Sequence, residues 1–252
     1  MKKIAIYNNK GGVGKSTIAA NLAHGLSELD FKVLLIDLDG QRDSPFFLGF
    51  NDKDFDKTFY DLLDNHNPIK VKDCIFETRD NLDLIPSNNM DKIKSEFHRE
   101  PRIDMVLDDL LKDVEGMSYD YVIIDCSPKR NKVNNAILFY VDDIIMPIQT
   151  EIASVKNIGN VYDYLTELRI PKNKVSVVIP NMHDKRTNSS KEKLKMIQDF
   201  FEGETETVTP PINRRVAITE AGELGKSVFE YDKTGADQFY DVLEMVVKTI
   251  GY

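Results

Sequence analysis

The feature that most constrains this chain is a glycine-rich loop between an apolar run and a helical run near its start. Residues 3–8 are a predicted strand whose apolar part is 4–7, and residues 18–23 continue as a helical run. The loop between them is Asn9-Lys10-Gly11-Gly12-Val13-Gly14-Lys15-Ser16-Thr17. Glycines let successive backbone N–H groups turn inward without Cβ obstruction, and the helix start adds its positive dipole end. Strand, loop and helix together predict a phosphate-binding loop.

The side chains of this loop suit a magnesium-bound nucleoside triphosphate. Lys15 supplies a positive charge for the β- and γ-phosphates, and the hydroxyl of Ser16 is a ligand for Mg²⁺. We therefore predict ATP and Mg²⁺ as ligands. The predicted nucleotide contacts of the loop are Lys10, Gly11, Gly12, Val13, Gly14, Lys15, Ser16 and Thr17.

Short apolar runs alternate with amphipathic stretches along the chain, which predicts an α/β fold with a mostly parallel, twisted sheet and helices on both faces. We expect one domain over residues 1–252, because no linker or internal repeat divides the sequence. The clearest predicted strands are 4–7, 33–36, 82–85, 121–124, 144–147 and 175–179. The predicted helices lie near 15–29, 90–113, 131–140, 154–168, 189–202 and 236–250. Ser189 and Glu192 have the spacing of a capping box.

Composition limits the class of protein and its location. The net charge is −9, of which residues 151–252 contribute only −2, so the excess of acid lies in the first 150 residues. No apolar run approaches the roughly 20 residues that span a bilayer, and the first strand follows Met1 almost directly. Cys74 and Cys126 are far apart and match no metal or disulfide spacing, which suits a reducing cytoplasm.

Aspartates follow two of the predicted strands, at the edge where parallel α/β sheets bind ligands. Asp37 and Asp39 end the second strand, and Asp125 follows four apolar residues. Asp125 has the position of a Walker B carboxylate near Mg²⁺, and Asp37 with Asp39 would share a face beside the phosphates. The alternative for this pair is an Asp-rich turn before Gly40. We predict Ser16, Asp37 and Asp125 as the metal site.

The loop departs from the strict pattern G-x-x-x-x-G-K-[ST], because Asn9 replaces its first glycine and Lys10 precedes the double glycine. This deviant Walker A loop resembles that of the ParA/MinD family of ATPases. The resemblance implies that Lys10 crosses to the ATP of a partner subunit in a homodimer and that Asp39 positions the attacking water. It implies Lys10, Lys15 and Asp39 as catalytic residues. Gly40, Ser127 and Ser16 depart from the residues usual in the family.

The resemblance continues into the C-terminal half. There it implies that Asn181 contacts adenine and that Pro211 helps to wall the adenine pocket, although a turn role for Asn181 stays open. It also implies a basic surface that binds DNA without sequence preference, with an ordinary solvated face as the alternative. The candidates are Lys185, Arg186, Lys191, Lys193, Lys195, Arg214, Arg215 and Lys226.

These expectations combine into a ParA-type partitioning ATPase. ATP would close the dimer, the dimer would bind DNA at the nucleoid, and a cargo-bound adaptor of ParB type would stimulate hydrolysis. No helix-turn-helix precedes the ATPase, since a strand begins at residue 3. One alternative is a MinD-like membrane-cycling ATPase, which the acidic final helix disfavours. The others are a metabolic ATP-dependent ligase and a reductase of the nitrogenase iron-protein type, which would need two cysteines at its dimer seam.

Overall fold

The computed structural model describes residues 1–64 and 66–251. The strands are β1 Lys2–Ile6, β2 Val33–Leu38, β3 Phe76–Arg79, β4 Leu82–Ile85, β5 Tyr121–Cys126, β6 Asp143–Gln149, β7 Val175–Asn181 and β8 Thr207–Val208. The helices are α1 Lys15–Glu28, α2 Asp43–Phe47, α3 Met90–Arg99, α4 Val106–Leu110, α5 Lys132–Tyr140, α6 Ile152–Lys156, α7 Ile158–Glu167, α8 Asn188–Phe200, α9 Val216–Glu223, α10 Val228–Tyr231 and α11 Lys233–Ile250.

The strands form one sheet in the order β3-β4-β2-β5-β1-β6-β7-β8. Its neighbouring strands are parallel except for β3, which runs antiparallel to β4. Ile4 and Ile6 of β1 join the apolar cluster under α1 and α11, whereas Ala5 joins the cluster under α3, α5 and α7. Both faces of the sheet are therefore buried, as continuous apolar strands require. The predicted α/β class with helices on both faces is confirmed.

Several predicted boundaries were wrong. The single helix predicted over 90–113 is two helices, because Glu100 is held extended before Pro101 and α3 ends there. The helix predicted over 154–168 is divided into α6 and α7. The short strands β3 and β8 were missed. The capping box at Ser189 was wrong as well, since Thr187 caps α8 and accepts a hydrogen bond from the Ser190 N–H.

The last helix, α11, packs its apolar stripe on the core. Phe239, Leu243 and Val246 are buried, and α11 contacts α1 and β7. This confirms the interpretation of α11 as a core-packing helix. Among the helices of the described residues, none is both long and apolar enough to cross a bilayer.

The close packing of α1 beside α11 leads to a test of the fold. A Cβ added to Gly25 would approach Leu243 Cδ1 to 2.4 Å and Phe229 Cζ to 2.6 Å. We expect Gly25→Val to lower the free energy of unfolding by about 1–3 kcal/mol, because overpacked cores shift side chains and backbone. Urea unfolding followed by circular dichroism measures this.

A matched change in open space serves as the control. A Cβ at Gly159 of α7 would meet nothing within 4 Å. Gly159→Ala should therefore raise the free energy of unfolding, by up to about 1 kcal/mol, through helix propensity. Equal stability of Gly25→Val and the wild type would show that α1 and α11 are not packed this closely.

Candidate functional site at the phosphate loop and strand ends

The phosphate loop links β1 to α1 and needs glycine at two positions. Gly12 and Gly14 have positive φ angles of 72° and 88°, the left-handed region that favours glycine. A Cβ on Gly14 would also lie 2.4 Å from Asn181 Nδ2. That amide donates to the Val13 carbonyl at 2.8 Å. The end of β7 therefore supports the loop directly.

Lys15 begins α1 and is buried in the loop, with its side-chain ammonium 3.4 Å from the carbonyl oxygen of Lys10. A buried positive charge beside a glycine-rich loop is suited to phosphate oxygens. Ser16 is also buried, and its hydroxyl lies near the Asp125 carboxyl group. The loop thus brings together the cation and the hydroxyl that the sequence predicted.

Strand register places the two predicted metal carboxylates side by side. Asp37 of β2 is the direct neighbour of Asp125 of β5, and both are fully buried. Asp37 Oδ1 accepts from the Asp39 N–H at 2.9 Å, and Asp125 Oδ2 accepts from Ser44 Oγ at 2.7 Å. Among the described residues, the other oxygen of each carboxylate has no hydrogen-bond partner.

Burial raises the pKa of both carboxyl groups, and the charge of Asp125 raises the pKa of Asp37 further. A nearby cation would offset this cost, since it favours the charged forms. Two unpaired carboxylate oxygens and the Ser16 hydroxyl are hard oxygen donors that fit Mg²⁺. Within residues 1–64 and 66–251, no group of three or more His, Cys, Asp or Glu side chains is placed to hold a metal. Mg²⁺ usually keeps several water and phosphate-oxygen ligands, so only a few protein ligands are expected.

Asp39 lies just beyond β2 and close to this pair, because its backbone N–H donates to Asp37 and its charge adds to burial in raising the pKa of both Asp37 and Asp125. It is 7% exposed, and its Oδ1 accepts from the Gln41 N–H at 3.2 Å. It lines a cavity of about 630 Å³ together with residues 127–129, which follow β5. The fully buried Asp37 is suited to the metal, whereas Asp39, which lines the cavity, is suited to a contact with water or substrate. The role of Asp39 with water stays a prediction.

Lys10 belongs to the loop, and its side chain contacts other residues of its own subunit. Its Nζ donates to Ser154 Oγ at 2.7 Å and to Gln149 Oε1 at 3.3 Å, and it lies 3.9 Å from Glu151 Oε2. Gln149 Nε2 also donates to the Gly12 carbonyl at 2.7 Å. The sequence alone did not predict a role for Gln149, Glu151 or Ser154. The polar side chains that follow the strand predicted at 144–147 could have indicated one. The contact of Lys10 with a second subunit stays a prediction.

A second cavity, of about 370 Å³, lies next to the loop. Asn181 and Thr17 line it, but the Asn181 amide is already bonded to Val13 and its Oδ1 to the Met182 N–H. The opposite wall contains Asn213, Arg214, Arg215, Ile218, Thr219 and Glu223. Pro211 lies two residues before that wall. Adenine contacts from Asn181 and Pro211 stay predictions.

The predicted DNA-binding residues fall into two groups. Four of them form ion pairs within the chain: Arg186 with Asp184, Lys193 with Glu192, Arg214 with Glu151, and Arg215 with Asp232. Arg214 and Arg215 also line the second cavity. The other four are exposed and have no ion-pair partner among the described residues: Lys185, Lys191, Lys195 and Lys226.

Comparison with known proteins bears on the family of the chain. A family model described as an AAA domain matches residues 1–177. The sporulation initiation inhibitor protein Soj of Bacillus subtilis is 30% identical over 97% of this chain and 98% of its own length. The chromosome partitioning protein ParA of Caulobacter vibrioides is 29% identical over 95% of this chain and 91% of its own. The chain belongs to the ParA-type family of P-loop ATPases. The roles of Lys10, Lys15 and the strand-end aspartates in this ParA-type ATPase stay predictions.

Solved structures share the fold. Cyanothece McdA in complex with ATP has a TM-score of 0.84, is 23% identical, and the match covers 100% of this chain and 96% of that one. The cobyrinic acid a,c-diamide synthase of Mycobacterium smegmatis, bound to an ATP analogue and magnesium, has a TM-score of 0.79 at 23% identity over 100% and 97% of the two chains. At this identity, the likeness concerns the fold of the ParA-type ATPase alone.

Proposed function

We propose that this ParA-type ATPase binds Mg-ATP, dimerises in the ATP-bound state and then binds DNA nonspecifically to segregate or position a cargo. The observation that carries the proposal is the pair of loop lysines. Lys15 is buried under the phosphate site, whereas Lys10 lies outside it, where a second subunit can reach it. One lysine therefore serves the nucleotide of its own subunit and the other that of a partner.

Hydrolysis follows from the same arrangement. Lys15 and the partner's Lys10 stabilise the charge that develops on the transferred phosphoryl group. Asp39 holds the attacking water in line, from the cavity side of the site. Magnesium, when held through Ser16, Asp37 and Asp125, supplies further neutralisation of the β- and γ-phosphate oxygens.

Nucleotide changes the affinity for DNA because it selects the dimer. Lys191 and Lys195 are four residues apart on α8, so they share one face of the helix, and Lys185 lies in the loop before it. A symmetric dimer presents this face twice. We propose that an adaptor of ParB type, bound to the cargo, stimulates hydrolysis and releases the monomers from DNA at the nucleoid.

The alternatives are supported less well. The apolar stripe of α11 is buried against the core, which leaves it unavailable for membrane binding. A ligase such as cobyrinic acid a,c-diamide synthase has the same fold, so the fold alone does not choose between ligase and partitioning ATPase. The relative named for chromosome partitioning, matched over 95% of this chain, favours partitioning.

DNA binding tests this proposal. We expect the wild type to bind duplex DNA of any sequence with ATP, and much more weakly with ADP or without nucleotide. Six lysines in the dimer, three from each subunit, should make affinity fall by about 10³-fold between about 50 and 200 mM salt. Lys191→Glu with Lys195→Glu should remove most of this binding. Fluorescence anisotropy of a labelled duplex measures it.

The control reverses two lysine charges at the opposite edge of the sheet. Lys70 and Lys72 are exposed before β3, whereas α8 joins β7 to β8. Lys70→Glu with Lys72→Glu should bind DNA as the wild type does. Binding that ignores nucleotide, or an equal loss in both double variants, would count against a DNA-binding face on α8.

A further inference from the structure

Most residues that line the cavity of about 630 Å³ beside Asp39 have no role in the proposed hydrolysis. Three segments line it: residues 39–42 after β2, residues 89–94 at the start of α3, and residues 127–131 after β5. Met90 and Pro128 give it some apolar surface. A concave site of this size takes a small molecule or a few residues of peptide.

The cavity is basic although the chain is acidic. Arg42, Lys92, Lys94 and Lys129 line it, against the two acids Asp39 and Asp91. Its position is unexpected, since the first 150 residues hold most of the net charge of −9. A concentration of cations in an acidic half indicates an anionic ligand.

Two of the four cations lack a countercharge within residues 1–64 and 66–251. Lys94 pairs with Asp91 at 3.3 Å, and Arg42 pairs with Asp52. The ammonium of Lys92 lies 5.3 Å from the centre of the Tyr60 ring, and it has no acidic partner among the described residues. The ammonium of Lys129 likewise has no partner in the described part of the chain.

We propose that this cavity binds a ligand with two or more carboxylates, held by Lys92 and Lys129. Carboxylates accept strong charge-assisted hydrogen bonds from ammonium groups. Separate carboxylates can contact the two ammonium groups one each, so that no single group of the ligand carries a double charge beside Asp39. The ligand comes either from an acidic peptide segment of a protein or from a small polycarboxylic acid.

Such a ligand would touch the reacting site. Asp39 and Gln41 line the same cavity, so a bound carboxylate ligand restrains the segment that places the attacking water. This consequence rests on the proposed function. The binding itself does not, since Lys92 and Lys129 take no part in the proposed hydrolysis.

Ligand binding is measured without nucleotide. A failure of the ligand to bind can then be distinguished from a failure of the proposed ATPase function. The probes are a fluorescent hexaglutamate peptide, its hexaglutamine counterpart, and citrate, the last followed by calorimetry and by displacement of the peptide. We expect hexaglutamate or citrate to bind, hexaglutamine not to bind, and affinity to weaken as salt rises. Binding of hexaglutamate alone identifies a peptide ligand, whereas tighter binding of citrate identifies a small acid.

Lys92→Gln with Lys129→Gln should weaken binding about tenfold or more, because each lysine loses a charge-assisted contact. Lys70→Gln with Lys72→Gln removes the same charge far from the cavity and should change nothing. Thermal melting checks that both double variants are folded. Absence of binding by both acids, or equal affinity in the two double variants, overturns the proposal.

Discussion

Alanine in place of Asp39 is expected to slow ATP hydrolysis by about 100-fold or more, the usual scale for losing a group that acts on the nucleophile. Nucleotide binding should persist, because Lys15, Ser16 and the backbone of the loop are untouched. Asp37 and Asp125 keep the unpaired oxygens suited to magnesium. The variant should therefore accumulate as an ATP-bound dimer. Single-turnover hydrolysis, ATP affinity and size-exclusion chromatography measure the three effects.

The same cavity offers a matched control for Asp39. The side chain of Asp91 is fully exposed and lines that cavity from α3, so Asp91→Ala removes an acid without touching the strand end. It should hydrolyse ATP at close to the wild-type rate. Asp39→Asn keeps the acceptor for the Gln41 N–H and separates loss of charge from loss of local structure. If Asp39→Ala lost ATP binding, Asp39 would belong to the metal site instead.

The parts of the site that the sequence predicted are those set by local structure. A strand that ends at an aspartate leaves that side chain at the carboxyl edge of the sheet, wherever the strand lies in the order. Correct prediction of the two strands was therefore enough to place Asp37 and Asp125 at the same edge of the sheet. The register of β2 with β5 makes them direct neighbours. The phosphate loop is local as well, since β1 and α1 hold both of its ends.

The parts that were missed depend on segments distant in sequence. Gln149 and Ser154 contact Lys10 across more than 130 residues, and no pattern near residue 10 indicates them. The basic cavity joins two loops and the start of α3, and none of its cations gives a signal in the sequence by itself. Arg215 looked like a surface cation in the sequence, yet it is half-buried against Asp232. Only tertiary packing determines which charges remain free.

Lys10→Ala is expected to abolish ATP-dependent dimerisation and the DNA binding that follows from it. A hydrogen bond to a charged group is worth about 1.5–3 kcal/mol, and a two-fold interface uses the contact twice. The dimer should therefore weaken by about 10²–10⁴-fold. ATP binding by the monomer should change little, because Lys15 lies on the subunit's own phosphate site. Analytical ultracentrifugation with ATP and with ADP measures the dimer.

The own-subunit contacts of Lys10 supply the control. Its ammonium is 2.7 Å from Ser154 Oγ, and a trans contact requires that this hydrogen bond break. Ser154→Ala removes the nearest of the three competing acceptors, so ATP should dimerise this variant at least as well as the wild type. The two substitutions act on the same hydrogen bond but should change dimerisation in opposite directions. A loss of the dimer in both variants would mean that the bond to Ser154 supports the interface, and that Lys10 acts within its own subunit.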